Sequence, residues 1–213
     1  MYRSLDHVLR WMHEGTSLAL DVVAAIGPDE WDGPSLLPGW SRKHLVAHLA
    51  GNAEALGNLV HWAASGQETP MYPSPEARND GIAKGATLTG DELVEWASTS
   101  AGRLEAAMST LGPEQWQRQV MTSRGRTILA IEIPWMRDRE VYVHSVDLDT
   151  GLTFADLPED FLQALQQDII AGRGDVPELV GNLADVTAYL AGRPYERVTL
   201  TDGGPAPQLG PWL

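Results

Sequence analysis

The apolar residues of the first 26 positions recur at intervals of three and four. This spacing places them on one face of a helix. It predicts a long first helix, which the dipeptide Gly27-Pro28 ends. The residues of this stripe are Leu5, Val8, Leu9, Met12, Thr16, Ala19, Val22, Val23 and Ile26.

Two further helices and a short repeat extend this pattern. We expect Ser41 to cap a second helix over about residues 42–64 and Thr89 to cap a third over about residues 91–111. The stretches "AIGPDEW" and "TLGPEQW" share one form, each ends a long helix, and each precedes a helix that carries histidine. Two helical hairpins of this kind predict an antiparallel four-helix bundle.

The connecting segments and the region after Gly151 show less regular apolar spacing. The Pro-rich stretch "SGQETPMYPSPEARND" predicts a long functional loop, and "RTILAI" predicts a short extended piece. After Gly151, the stretches "LPEDFLQALQQDIIAG" and "ELVGNLADVTAYLAG" predict two helices, and "YERVTLTDG" predicts a strand. The expected fold is therefore mainly α, with a four-helix bundle over residues 1–152 and a small C-terminal α/β appendage over residues 153–213.

The charge and the absence of cysteine exclude several function classes. The chain has 15 Lys and Arg against 29 Asp and Glu, a formal net charge of −14, which disfavours nucleic acid and anionic membranes as partners. It has no cysteine, so thiol chemistry would need an external thiol. The N-terminus lacks a signal-peptide core and no apolar run reaches transmembrane length. We expect a cytoplasmic monomer or homodimer that binds small molecules.

Polar residues on two apolar helix faces predict a metal site. In "PWMRDREVYVHSVDL", Glu140 and His144 lie four residues apart on one helix face, and Asp147 follows on that face. His48 lies on the inward stripe of the second helix. Alone, His48 would be read as a hydrogen-bonded core histidine, and Glu140 with His144 as a surface pair. If the two helices face each other, however, two imidazoles and a carboxylate suit either zinc or non-haem iron(II).

Several segments together resemble a known family. "LPGWSRKHLVAHLAGNAEAL", "HWAASGQETPMYPSPEARND", "PWMRDREVYVHSVDL" and the closing "AGR…PWL" are similar to the mycothiol-dependent maleylpyruvate isomerases, which are DinB-like metalloenzymes. The resemblance implies a DinB-like bundle and zinc held by His48, Glu140 and His144, with His44 left out. It also implies mycothiol as the external thiol and cis–trans isomerisation of maleylpyruvate to fumarylpyruvate.

The implied substrate is a dianion, so arginines near the site matter. Arg78 in "SPEARND" and Arg193 in "AGRPY" match the family segments, and we expect both to serve as catalytic and cofactor-binding residues that pair with carboxylates. Arg126, Arg137 and Arg139 are weaker candidates, and Arg137 and Arg139 are expected only to balance local acid. Trp40 and Tyr72 are expected either to line the pocket or to pack at helix starts.

Other functions remain open at this point. A mycothiol S-transferase that acts on another electrophile, in detoxification or natural-product biosynthesis, would share the bundle and the metal. A zinc-dependent regulatory module such as an anti-sigma factor would be expected to contain cysteine. A purely structural bundle would leave Glu140 and His144 unexplained. The C-terminal region is expected to be shorter than in the isomerases, without the strand-rich middle of their C-terminal domain.

Overall fold

The computed structural model describes residues 3–213 and divides into two compact units. One unit is formed by residues 4–150, and the other by residues 151–213 together with Arg3. The first unit contains four long helices: α1 (Leu5–Ala24), α2 (Arg42–Ser65), α4 (Gly90–Ser109) and α6 (Ile133–Asp147). The second is smaller and combines helices with a two-stranded sheet.

The long helices begin where capping residues satisfy their free N–H groups. The Ser4 hydroxyl accepts a hydrogen bond from the His7 N–H at the start of α1. At the start of α4, Thr89 accepts from the Glu92 N–H while the Glu92 carboxylate accepts from the Thr89 N–H, which forms a capping box. Gly66 ends α2 in the left-handed conformation, with φ of 77°. The sequence predicted these helices within a few residues.

The four long helices pack as the predicted bundle. Helix α2 packs against α4 and α6, and α1 packs against α6 and α4. Their apolar faces fill the interior, which includes Trp11, Leu56, Leu59 and Leu93, each at most 1% exposed. Burial of this apolar surface supplies the main driving force for folding the unit. The mainly α fold class is therefore confirmed.

Several short elements pack on the long helices, and one of them corrects a prediction. The stretch predicted as a loop becomes helical at α3 (Pro75–Gly85), because Ser74 caps it and Pro75 occupies a first-turn position that needs no N–H donor. The predicted extended piece is confirmed as β2 (Thr127–Leu129), which pairs antiparallel with β1 (Gln119–Met121) so that Val120 faces Ile128. A single turn, α5 (Pro113–Trp116), precedes this hairpin.

The second unit contains α7 (Glu159–Arg173), β3 (Leu179–Val180), α8 (Leu183–Ala191) and β4 (Thr199–Leu200). Helix α7 and the strand in "YERVTLTDG" confirm the sequence prediction. The predicted helix over "ELVGNLADVTAYLAG" is wrong in its first part: Leu179 and Val180 pair with β4, and the helix starts only where Asn182 caps it. Helices α7 and α8 pack together.

None of the helices within residues 3–213 combines the length and the hydropathy that a membrane span requires.

Candidate metal centre

Helices α2 and α6 bring His48, Glu140 and His144 together. One carboxylate oxygen, Glu140 Oε2, lies 2.9 Å from His48 Nε2 and 3.2 Å from His144 Nε2. One potential ligand atom from each of the three residues lies within 4.8 Å of the others. The two histidines are buried, whereas the Glu140 side chain remains 19% exposed. The structure thus brings the predicted ligands together, with the carboxylate on the more accessible side.

Arg137 fixes α6 against α2 one turn before Glu140. Its side chain is buried and donates Nη1 to the Leu49 carbonyl oxygen at 2.8 Å and to Asn52 Oδ1 at 2.9 Å. Burial lowers the pKa of Arg137 to about 10, so its guanidinium stays charged at neutral pH. Arg137 therefore does more than balance local acid. Its two hydrogen bonds hold α6 against α2, and this packing places Glu140 opposite His48.

Asp147 orients the second histidine. Its Oδ2 lies 2.8 Å from His144 Nδ1, and the Asp147 side chain is fully buried. Asp147 is held in turn at its carbonyl oxygen, which accepts a hydrogen bond from the Leu36 N–H at 2.8 Å. A carboxylate on the outer nitrogen of a histidine fixes the ring and raises its basicity as a metal ligand. The sequence placed Asp147 on this face, but its role became clear only from the contact.

The protonation states of the cluster follow from these contacts. Burial alone would raise the pKa of Glu140, but hydrogen bonds with His144 and His48 hold it well below its ordinary value. Burial would lower the pKa of His144, but Asp147 and Glu140 outweigh it and raise that pKa. Burial lowers the pKa of His48 despite its contact with Glu140. Without a metal, these shifts favour the anionic form of Glu140, the protonated form of His144 and the neutral form of His48.

Arg78 lies beside the cluster on α3. Its Nη2 is 3.5 Å from His48 Nδ1, and it also interacts with the Tyr72 side chain. Burial raises the pKa of Tyr72, and the neighbouring Arg78 partly offsets that rise. His48, Tyr72 and Arg78 all line one cavity of about 230 Å³ between α2 and α3. The structure thus joins Arg78 to the predicted ligands across an accessible space.

The other candidate residues take different places. The Trp40 ring meets the His48 ring edge-on at 5.5 Å between centroids, so Trp40 packs directly on a predicted ligand. His44 Nδ1 accepts a hydrogen bond from the Ser41 N–H at 3.3 Å, which ties His44 to the start of α2. Arg126 lies in the exposed turn of the β1–β2 hairpin. Arg139, on α6, makes further interactions with its surroundings.

Arg193 belongs to the second unit, where it follows Gly192, the glycine that ends α8. It is 5% exposed and donates Nη1 to the Ala191 carbonyl oxygen at 2.8 Å. A buried arginine at this place is unusual, since a charged side chain loses hydration when it is buried. Its predicted role toward the substrate stays a prediction.

Two contacts that matter for the geometry were not assigned from sequence. The partnership of Arg137 with Asn52 could have been suspected because both lie on inward helix faces, where a charge needs a partner. The i,i+3 spacing of His144 and Asp147 was the available signal for their hydrogen bond. Neither signal shows which helix packs against α6. Only the packing of the folded bundle gives that information.

Comparisons with known proteins identify the family. The family model described as the mycothiol maleylpyruvate isomerase N-terminal domain matches residues 12–149. Among solved structures, the crystal structure of the mycothiol-dependent maleylpyruvate isomerase is similar, with 37% identity and a TM-score of 0.91 over 99% of this chain and 98% of that chain. A histidine-to-alanine mutant of that isomerase matches with the same values. No match was found among curated proteins.

These matches establish the family. The structural match covers 99% of this chain, so it includes the C-terminal region. The resemblance deduced from the sequence motifs is confirmed by the family match and by the structural match. The chain therefore belongs to the mycothiol-dependent maleylpyruvate isomerase family and is an enzyme.

Proposed function

We propose that the protein is a zinc-dependent isomerase that uses mycothiol to convert maleylpyruvate into fumarylpyruvate. The observation that carries this proposal is the group formed by His48, Glu140 and His144 at the wall of an accessible cavity, in a chain of the isomerase family. The similar solved protein is a maleylpyruvate isomerase that depends on mycothiol, which supports this substrate and this thiol.

The donor set suits zinc. Two imidazole nitrogens and one carboxylate oxygen are a frequent ligand set for catalytic zinc, which keeps a further position open. Asp147 supplies the outer carboxylate that such sites commonly place on a ligating histidine. Burying the Glu140 carboxylate between two histidines costs hydration free energy. A cation bound by the three residues would offset this cost. A zinc ion held there would lower the pKa of a bound thiol and so favour the thiolate at neutral pH.

The thiol supplies reversible addition to a carbon–carbon double bond, which becomes a single bond, rotates, and is restored when the thiol leaves. The chain has no cysteine to supply this nucleophile itself. The protein must therefore bind an external thiol, hold the substrate beside it, and stabilise the negative charge that the addition creates on the substrate.

The chain's own residues can perform these tasks. The Arg78 guanidinium lies at the cavity wall beside His48 and can pair with a substrate carboxylate or with the developing negative charge. Asp147 and Arg137 hold His144 and Glu140 in place before any ligand arrives, so little reorganisation is needed during the reaction. We propose that Arg193 provides a second charge for the dianion or for polar groups of the thiol.

The wider expectations also belong to this proposal. An acidic chain that binds a dianion through a few arginines fits a small-molecule enzyme without a nucleic-acid or membrane partner. We propose a cytoplasmic location and a monomeric or homodimeric state, on the charge and composition of the chain.

The test is direct assay of the zinc-loaded protein with maleylpyruvate, with and without mycothiol. We expect formation of fumarylpyruvate only when mycothiol is present, with no net consumption of the thiol. Formation of a stable thioether with consumption of mycothiol would instead establish an S-transferase. Isomerisation at the same rate without thiol would overturn the proposal.

A further inference from the structure

The cavity beside His48, Glu140 and His144 extends well beyond these three residues and Arg78. Its lining follows α2 from His48 to Asn58, ten residues or about 15 Å along a helix axis. On the α3 side it is lined by Arg78 and Gly81. A substrate as small as a four- to six-carbon diacid would occupy only the part next to His48 and Arg78. The rest of the cavity has room for another ligand.

Two glycines keep this further part open. Gly51 follows His48 by three residues on α2, and Gly81 follows Arg78 by three residues on α3, so each lies about one turn beyond a residue of the site. A Cβ atom at either position would meet no protein atom within 4 Å. By contrast, a Cβ at Gly85 would lie 2.5 Å from that of Ala47. Packing therefore explains Gly85, but it does not explain Gly51 and Gly81.

The polar groups of this further part suit a neutral, hydroxyl-rich ligand. Glu54, Asn58 and Trp96 line it, and the Trp96 indole N–H donates to Glu54 Oε1 at 2.8 Å, which fixes the carboxylate. The Asn58 amide donates to the carbonyl oxygens of Pro70 and Met71, so it holds the cavity edge formed by that segment. A carboxylate accepts hydrogen bonds from hydroxyl groups but repels a dianion.

We infer that the part of the cavity lined by Gly51, Gly81, Glu54, Asn58 and Trp96 binds the neutral, polyhydroxylated portion of the thiol cofactor. The anionic substrate then lies at the other end, where Arg78 supplies positive charge. This inference rests on the proposed function, because it takes mycothiol, whose cysteine carries a sugar and a cyclitol, as the thiol. Charge thus separates the two ligands: the arginine end takes the anion and the Glu54 end takes the neutral rings.

The test fills the cavity and measures binding without catalysis. The probe is S-methyl mycothiol, which cannot react as a thiolate, titrated into the zinc-loaded protein by calorimetry. We expect Gly51→Leu and Gly81→Leu each to weaken its binding by about tenfold or more, because the new side chain occupies the ligand's space. We expect the KM for maleylpyruvate, measured at saturating mycothiol, to change by less than about twofold.

Gly57→Leu is the matched control. Gly57 lies on the same helix and is equally open to a Cβ atom, but it does not line the cavity. We expect binding of the probe within about twofold of wild type, since this change alters the helix and not the cavity. Glu54→Gln is a milder variant on an exposed residue, and it keeps an oxygen for Trp96. It should weaken the probe by about threefold or more even if the leucine variants fold poorly.

The outcomes separate this inference from the proposed function. Wild-type affinity for the probe in folded Gly51→Leu and Gly81→Leu would overturn it, as would an equal loss in Gly57→Leu. If these two variants raise the KM for maleylpyruvate but leave binding of the probe unchanged, this part of the cavity binds the substrate, and the inference is overturned. The inference is also overturned if the wild-type protein does not bind the probe. If the probe binds as expected but maleylpyruvate is not isomerised, the inference stands and only the proposed function fails.

Discussion

The N-terminal half of α2 (residues 42–52) and its C-terminal half (residues 53–65) are both packed inside the bundle, but their buried side chains differ in chemistry. The first half buries His48 and Asn52 among apolar neighbours. Within residues 53–65, all of which the structure describes, every buried side chain is apolar, as at Leu56 and Leu59. One helix thus contains two kinds of buried surface.

The two halves differ in what their burial does. Burying Leu59 removes apolar surface from water and stabilises the fold. Burying His48 costs hydration, and that cost is offset only by specific partners such as Glu140. Arg137 and Asp147 then extend the polar network around the first half. The same cost recurs at the buried side chains of Arg137, His144 and Asp147, close to one another, which indicates a site and not an accident of packing.

The largest effect should come from removing the metal. Chelation should lower isomerase activity by about three orders of magnitude or more, since the ion supplies several kcal/mol of charge stabilisation, and added zinc should restore it. The bundle should keep its helical circular dichroism, because the apolar half of α2 does not depend on the ion. Full activity in metal-free protein would show that the buried polar residues in the N-terminal half of α2 do not serve to bind a catalytic metal.

The second effect tests the apolar half. Leu59→Ala should lower the free energy of unfolding by about 2–5 kcal/mol, because Leu59 is fully buried and the change leaves a cavity. Urea denaturation measures this loss. The folded variant should still bind zinc with wild-type stoichiometry. Leu129→Ala, at a residue that is 38% exposed, is the control and should cost less than about 0.5 kcal/mol.

A third prediction concerns the arginines proposed to hold the dianion. Arg78→Ala and Arg193→Ala should each lower kcat/KM by roughly ten- to a hundredfold, as expected for losing one charge-assisted contact of about 1.5–3 kcal/mol. Turnover measured in parallel with zinc content separates a lost contact from a lost site. Wild-type turnover in either variant would remove that arginine from the mechanism, whereas loss of zinc would show that the change acted through folding.

The smallest effect should come from Asp147→Asn. The amide keeps the size of the side chain but removes the negative charge beside His144, so zinc affinity should fall by about tenfold. Competition with a chelating dye measures this change. Asp156→Asn, on an exposed capping residue of the second unit, is the control and should leave zinc affinity unchanged. An unaltered affinity in Asp147→Asn would show that orientation by the carboxylate is dispensable.

Sequence reasoning found what local rules determine. The apolar spacing and the predicted cap Thr89 located the long helices, and the i,i+4 pair on α6 indicated two of the three clustered residues. It missed α3 because the prolines before it suggested a loop, while Pro75 in fact occupies the first turn of a helix. It missed the start of β3 because the two residues involved become a strand only through pairing with β4.

The rest of the site depends on distances that local rules do not contain. The contact between Arg137 and the Leu49 carbonyl oxygen joins residues that are 88 positions apart. The cavity forms because α3 packs beside α2, and residues of both helices line it. Helix-face spacing indicated His48, Glu140 and His144, and the motif resemblance implied the same three residues and added Arg78 and Arg193. Arg78 lies beside the cluster, whereas the role of Arg193 still rests on its motif.

The central claim is that the polar half of α2 and helix α6 together bind one metal ion. The measurement that tests it most directly is zinc content and zinc titration of purified His48→Ala, Glu140→Ala and His144→Ala proteins beside His44→Ala. We predict about one zinc ion per chain in the wild type and in His44→Ala, and a large loss in the other three. Full zinc content in the folded His48→Ala and His144→Ala proteins would contradict the account.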